Sequence, residues 1–68
     1  MGSQVQIGKN LKKARKKAKL TQEQVADKAG IHVSYYSRIE RGVVNMSSEV
    51  QENIFKVLKV KSSDILPY

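Results

Sequence analysis

The sequence contains no cysteine and no tryptophan, and only one proline, one phenylalanine and one histidine in 68 residues. Without cysteine, neither a disulfide framework nor a Cys-based zinc site can staple so short a chain. One histidine cannot assemble a metal site by itself. No apolar run approaches the roughly 18 residues of a membrane-spanning helix, and no signal-peptide hydrophobic segment is present, so the expected location is cytoplasmic with no membrane partner. The chain also lacks a nucleophile–base set, a metal cluster and a phosphate-cradling glycine loop. Neither enzymatic activity nor a cofactor is therefore expected, and no small-molecule ligand is evident. The absence of β-alternation, repeats and low-complexity segments leaves one helical block. Its length allows a single domain with a small core, stabilised by helix packing and further by dimerisation.

What the chain has in excess is positive charge. Lys and Arg number 13 against 6 Asp and Glu, a net charge of +7. The surplus is local: residues 1–20 carry seven basic residues and no acid, whereas residues 21–42 and 43–68 each carry three of either sign. A basic segment of this kind suits a polyanionic partner through counterion release and steered association, and equally suits a solvated helix face.

Residues 1–6 are expected to be a disordered or frayed segment ahead of a domain spanning 7–66. From about Gln4 to Lys19, Ile7, Leu11, Ala14 and Ala18 recur at i, i+4, i+7 and i+11, one stripe of an amphipathic helix. At about 100° per residue, Lys9, Lys12, Lys13 and Lys16 lie opposite that stripe, whereas Arg15 falls on its margin. A cation placed there requires a carboxylate partner. Gly8 costs about 1 kcal/mol against Ala within a helix, which points to close packing or fraying.

Thr21 and Gln24 have the spacing of a capping box. Val25, Ala26 and Ala29 give the second helix, about 22–28, its apolar side, and Gly30 can end it in a left-handed conformation. A third helix runs from about His32 to Arg41 and stops at Gly42. Tyr36 and Ile39 centre its inner face, Tyr35 lies on the flank, and Val33, Ser34, Ser37, Arg38 and Arg41 form an uncrowded outer face. Glu40 occupies the margin, as Arg15 does on the first helix, so a partly buried Arg15–Glu40 ion pair is expected to tie the two together. Two short helices joined at a glycine turn in a small basic protein suggest a helix-turn-helix. Ser47 or Ser48 should cap a fourth helix to about Lys59, with Val50, Ile54, Val57 and Leu58 inward and Phe55 facing either the core or a partner. A short fifth turn over 62–66 starts at a Ser cap. Its Ile65 and Leu66 either cover the core or form a subunit contact.

These residues resemble the Cro and phage-repressor type of helix-turn-helix regulator, the all-α, five-helix lambda-repressor-like domain also called xenobiotic-response-element type. The resemblance rests on Ile7-Gly8 with Arg15, the run Leu20 to Ala26, Ala29-Gly30-Ile31, the run Tyr36 to Gly42, Asn45, Ile54, Leu58 and Asp64-Ile65-Leu66. It covers residues 7–66, and the Gly30-Ile31-His32 run with Tyr35 is similar to small stand-alone members, including controllers of restriction–modification systems. The resemblance implies that Gln22 bonds a DNA phosphate. It implies base reading by Val33, Ser34, Tyr35, Ser37 and Arg38, and backbone contacts from the loop between Arg41 and Asn45. The Arg15–Glu40 pair is also a feature of the family.

Three departures bear on these implications. Val33 stands where many members carry Gln or Arg, so it offers only an apolar contact, such as to a thymine methyl. Met46 replaces a frequent Pro or Val. Ser48 and Gln51 stand where leucines are usual and Phe55 where Ala is usual, so that the ring compensates for the lost leucines from within the core.

Individual roles keep alternatives. Arg38 is the leading base reader, against a solvated salt bridge; Tyr35 contacts DNA or packs; His32 caps the helix or binds phosphate; Asn45 binds phosphate or makes the turn. The expected function is sequence-specific double-stranded DNA binding by a transcriptional regulator, a repressor by family type, residing with the nucleoid when bound. It should act as a homodimer on a near-palindromic operator, with Val60, Ile65 and Leu66 as candidate dimer contacts. The alternatives are a binding module without DNA readout, of RNA-associated or co-activator-bridge type, and an antitoxin-type autorepressor.

Overall fold

The way the helices end gives the chain its layout. The computed structural model describes residues 2–67. They form α1 (Gly2–Lys17), α2 (Gln22–Ala29), α3 (Val33–Arg41), α4 (Ser48–Leu58) and α5 (Ser62–Ile65). The first four helices close in the same manner. Lys19, Gly30, Gly42 and Lys59 adopt left-handed backbone with φ of 61°, 75°, 77° and 57°. The next N–H then reaches back to a carbonyl in the last turn: Leu20 to Arg15 at 3.1 Å, Ile31 to Ala26 at 3.0 Å, Val43 to Arg38 at 3.2 Å and Val60 to Phe55 at 3.1 Å. These bonds satisfy carbonyls that a helix end leaves orphaned. Glycine adopts the conformation freely, whereas each lysine does so at a cost of about 1 kcal/mol.

The helix starts are capped as locally. Thr21 and Gln24 form the expected box, with Thr21 Oγ1 accepting from the Gln24 N–H at 3.1 Å and Gln24 Oε1 accepting from the Thr21 N–H at 2.8 Å. His32 Nδ1 accepts from the Ser34 N–H at 3.1 Å, which makes the lone histidine the cap of α3. Ser47 caps α4 through Val50 at 3.2 Å. At α5 the cap position is Lys61 and Ser62 is already helical, with Asp64 accepting the Lys61 N–H at 3.0 Å.

The core consists of Leu11, Val25, Ala26, Ala29, Tyr36, Ile39, Ile54, Phe55, Leu58 and Ile65, one or more from every helix. Phe55 is thus a core residue, filling space alongside Ile54 and Leu58. Helix α1 packs on α3 and α5, and α2 packs on α3 and α4. The α1–α3 crossing is close because of Gly8: a Cβ there would lie 2.3 Å from the Glu40 carbonyl oxygen and 2.7 Å from that of Ile39. Gly8 is buried, and of its two expected consequences the close packing is the one realised.

Besides the α5 cap, three expectations need correction. Residues 2–6 are helical rather than frayed, because Val5 packs over the Gly42 backbone and Gln4 hydrogen-bonds Asn45; Met1 lies outside the described residues. Ala18 lies beyond the last turn of α1 and is exposed, since the chain has already begun its left-handed exit at Lys19. Ile65 is 1% exposed within a single chain, so it covers the core and has no surface left for a dimer contact. Its carbonyl is held by Asn10 Nδ2 of α1 at 2.7 Å. Val60 and Leu66 remain half-buried.

Candidate nucleic-acid interface

Helix α3 is divided by its own periodicity. Tyr36, Ile39 and Glu40 are buried, whereas Ser34, Arg38 and Arg41 are exposed and Val33, Tyr35 and Ser37 half-buried. Residues spaced three and four apart share a helix face, so Ser34, Arg38 and Arg41 form one outward row. Ser34 is already partly engaged. Its Oγ lies 2.8 Å from His32 Nδ1, which also accepts the Ser34 N–H. A ring nitrogen that accepts from the backbone carries no proton, so the hydroxyl donates to it and Ser34 presents oxygen lone pairs outward. Arg38 has no ion pair among the described residues, leaving its planar fork of donors unengaged.

Beneath that face lies a buried cluster of four side chains from three helices. Arg15 Nε donates to Glu40 Oε2 at 2.7 Å and Nη2 to Oε1 at 3.2 Å, the expected ion pair in bidentate form. The side chains are 11% and 3% exposed. Arg15 Nη1 also donates to the Leu20 carbonyl at 2.9 Å, fixing the turn that leads into α2. The fourth contact was absent from the sequence reading: Gln22 Nε2 donates to Glu40 Oε1 at 2.9 Å. Gln22, the residue matching the family's phosphate contact, therefore spends one N–H on α3 and keeps the other. Burial pushes the Glu40 carboxyl up, but the hydrogen bonds from Arg15 and Gln22, together with the adjacent Tyr36 hydroxyl, outweigh it and hold the group below the usual carboxylate range. The Arg15 guanidinium is raised chiefly by its hydrogen bond to Glu40. Burial, reinforced by Glu40, raises Tyr36 far above the ordinary phenol range, so its hydroxyl stays protonated. That hydroxyl is buried beside the Glu40 carboxylate.

The loop after α3 is tied back to that helix. The Tyr35 hydroxyl donates to the Asn45 carbonyl at 3.3 Å, and the Asn45 side chain meets Gln4 of α1. Of the two readings of Tyr35, partial packing is what the free chain shows. Arg41 at the end of α3 and Val43 and Asn45 in this loop are exposed. The structure thus gathers Gln22, the outer row of α3 and the loop around one segment, residues 22–45. The α1 lysines are not all part of it. Lys13 and Lys17 join Lys59 along a cleft of about 750 Å³ between α1 and the α4–α5 corner, none of whose lining residues belongs to α2, α3 or the loop between α3 and α4.

Comparison with known proteins agrees with this geometry. The helix-turn-helix family matches residues 11–65. The control protein C.BamHI of Bacillus amyloliquefaciens is 38% identical over 52 residues, covering 76% of this chain and 64% of that protein. The immunity repressor protein of Bacillus phage phi105 is 38% identical over 60 residues, covering 88% of this chain and 42% of the repressor. The chain therefore spans less than two thirds of either relative. Among solved structures, the restriction-modification controller protein C.AhdI from Aeromonas hydrophila superimposes with a TM-score of 0.92 at 26% identity, over 97% of this chain and all of that one.

Proposed function

The chain belongs to the helix-turn-helix family, and on that premise we propose that this transcriptional regulator of controller type binds double-stranded DNA sequence-specifically, as a homodimer on a near-palindromic operator. The observation that carries the reading is the split of α3 into a buried face locked to α1 and an outward row of Ser34, Arg38 and Arg41. A helix held rigidly from behind, with a short polar face outward, can enter the major groove. Arg38 takes the role of base reader, since a guanidinium bonds guanine O6 and N7 bidentately, and Val33 offers a thymine-methyl contact. Gln22, at the N-terminus of α2, grips a phosphate with help from the helix dipole. Arg41 and Asn45 flank the groove on the backbone. Tyr35 and Ser37, half-buried, approach the DNA from the flank of α3.

Val60 and Leu66 are the contacts offered for the dimer, at the α4–α5 corner. Two reading helices would then lie one helical turn, ~34 Å, apart. Selection of bound sequences from random duplex DNA tests all of this together. A two-fold symmetric motif is the expected result; recovery of unselected sequence would overturn specific reading.

The cleft lined by Lys13, Lys17 and Lys59 favours a second reading, a binding module whose basic surface acts without base readout. Substituting Ser34 and Arg38 against substituting Lys13, Lys17 and Lys59 separates the two. If only the lysine changes abolish binding, groove reading fails.

A further inference from the structure

Serine is ordinarily an ambiguous reader of bases, because its hydroxyl rotates to donate or to accept and so suits either class of base edge. Ser34 lacks that freedom. Its Oγ lies 2.8 Å from His32 Nδ1, and the Ser34 N–H reaches the same nitrogen at 3.1 Å. Because Nδ1 accepts the backbone N–H, it carries no proton of its own, and the single hydroxyl hydrogen is engaged by the ring. Both residues are exposed, and Ser34 shares the outward row of α3 with Arg38 and Arg41. What Ser34 presents there is lone pairs alone. Arg38, one turn further on, has the opposite character, since a guanidinium donates and does not accept.

We propose that His32 is a positioning residue for base specificity: it polarises the Ser34 hydroxyl so that Ser34 reads an amino group, adenine N6 or cytosine N4, and not the keto oxygen of guanine or thymine. Every base pair shows one such amino donor in the major groove, and the sequence decides which strand carries it. The restriction therefore becomes a base choice, adenine or cytosine on the strand facing Ser34. For Ser34 to serve a keto oxygen instead, its hydrogen must turn outward and give up the His32 bond, the shorter of the two that Nδ1 holds. This inference rests on the DNA-binding reading above and adds to it the polarity of one contact. If His32 served α3 only as its cap, the hydroxyl would be free and the position indifferent to amino or keto groups.

The test compares wild type, Ser34→Ala, His32→Asn and His32→Gly on duplexes built from the selected operator and altered one base pair at a time. Asparagine and glycine are both accepted at helix N-caps, so both His32 variants should keep α3, which thermal midpoints check. Asparagine places an amide oxygen where Nδ1 stands and still accepts both hydrogens, whereas glycine frees the hydroxyl. At the position whose discrimination Ser34→Ala abolishes, the wild type should prefer adenine or cytosine over guanine or thymine by about fivefold, the scale of one neutral hydrogen bond. His32→Asn should retain that preference and His32→Gly should lose it, while discrimination at the position read by Arg38 stands throughout. A wild-type preference for guanine or thymine at the Ser34 position overturns the relay, as does a Ser34→Ala chain with no altered position; these two arms decide the polarity even where a His32 variant is less stable. His32→Asn and His32→Gly behaving alike also overturns it. A wild-type chain that yields no selected motif removes the sequence-reading proposal itself, and the relay with it.

Discussion

Replacing Arg15 by Ala leaves the Glu40 carboxylate, whose side chain is 3% exposed, with Gln22 and the neighbouring Tyr36 hydroxyl as its remaining donors among the described residues. Two charge-assisted bonds at 2.7 and 3.2 Å disappear, and so does the bond that pins the Leu20 carbonyl at the start of the α1–α2 turn. Breaking one side of a buried pair costs about 3–5 kcal/mol, and the surviving Gln22 bond places Arg15→Ala near the lower end, about 3 kcal/mol. A domain of this size has only about 3–10 kcal/mol in total, so the variant should sit close to its unfolding transition. Urea titrations followed by far-UV circular dichroism, with sucrose present to hold the variant folded, measure the loss. The double variant Arg15→Met with Glu40→Leu supplies the control, since matched apolar groups of similar volume need no charge partner. It should be more stable than Arg15→Met or Glu40→Leu alone by about 2 kcal/mol, a large coupling in the double-mutant cycle. Additive losses, or a cost for Arg15→Ala below about 1 kcal/mol, would show that the pair does not hold α1 against α3.

Two further outcomes follow from the same contacts. Gly8→Ala gains about 1 kcal/mol of helix propensity, yet its Cβ would lie 2.3 Å from a backbone oxygen of α3, so overpacking of about 1–3 kcal/mol should win and lower the thermal midpoint. A raised midpoint would mean that α1 can shift without loss. The second concerns acid. Because the Glu40 carboxyl is depressed in the folded chain, its contribution is complete above the usual carboxylate range and lost as pH falls through its lowered value. An acid titration of Glu40→Gln should therefore lack the steepest part of the wild-type stability loss below that range; superimposable slopes would refute the assignment.

The helices and their inner faces were legible because periodicity and capping are local properties. Thr21, Gln24, Gly30 and Gly42 act through neighbours within five residues, so their spacing alone foretells their geometry. The Arg15–Glu40 pair was legible for a related reason: each residue sits on the margin of an apolar face, where a lone charge has no solvent and must find its opposite. Features that depend on a meeting of distant segments were hidden. Gln22 reads as a phosphate ligand, and nothing in its surroundings announces the bond to Glu40, eighteen residues away. Residues 2–6 look frayed until Val5 is seen against Gly42. Ile65 fits a core and a subunit contact equally well in sequence, and only the docking of α5 on α1 buries it. The sequence placed two helix ends near Lys19 and Lys59, but with no glycine to mark them their left-handed turns appeared only in the backbone.

For the candidate site, the sequence identified the outer row of α3 and mistook how freely its groups are held. Ser34 is committed to the His32 cap, and the Tyr35 hydroxyl donates to the Asn45 backbone carbonyl. What remains unengaged is chiefly Arg38 and Arg41, so the proposed direct readout would rest on few contacts. Under the proposed function, sequence preference would then lean also on DNA shape and on the pairing of two chains.

Arg38 therefore carries the central claim, and one binding series tests it most directly. Affinities of the wild-type chain and of Arg38→Ala are compared on the selected operator and on duplexes altered one base pair at a time. The account predicts that Arg38→Ala loses about 1–3 kcal/mol of discrimination at a single position per half-site while other positions keep theirs. A uniform weakening across every duplex, with discrimination intact, would make Arg38 a phosphate contact and contradict the assignment of α3 as the reading helix.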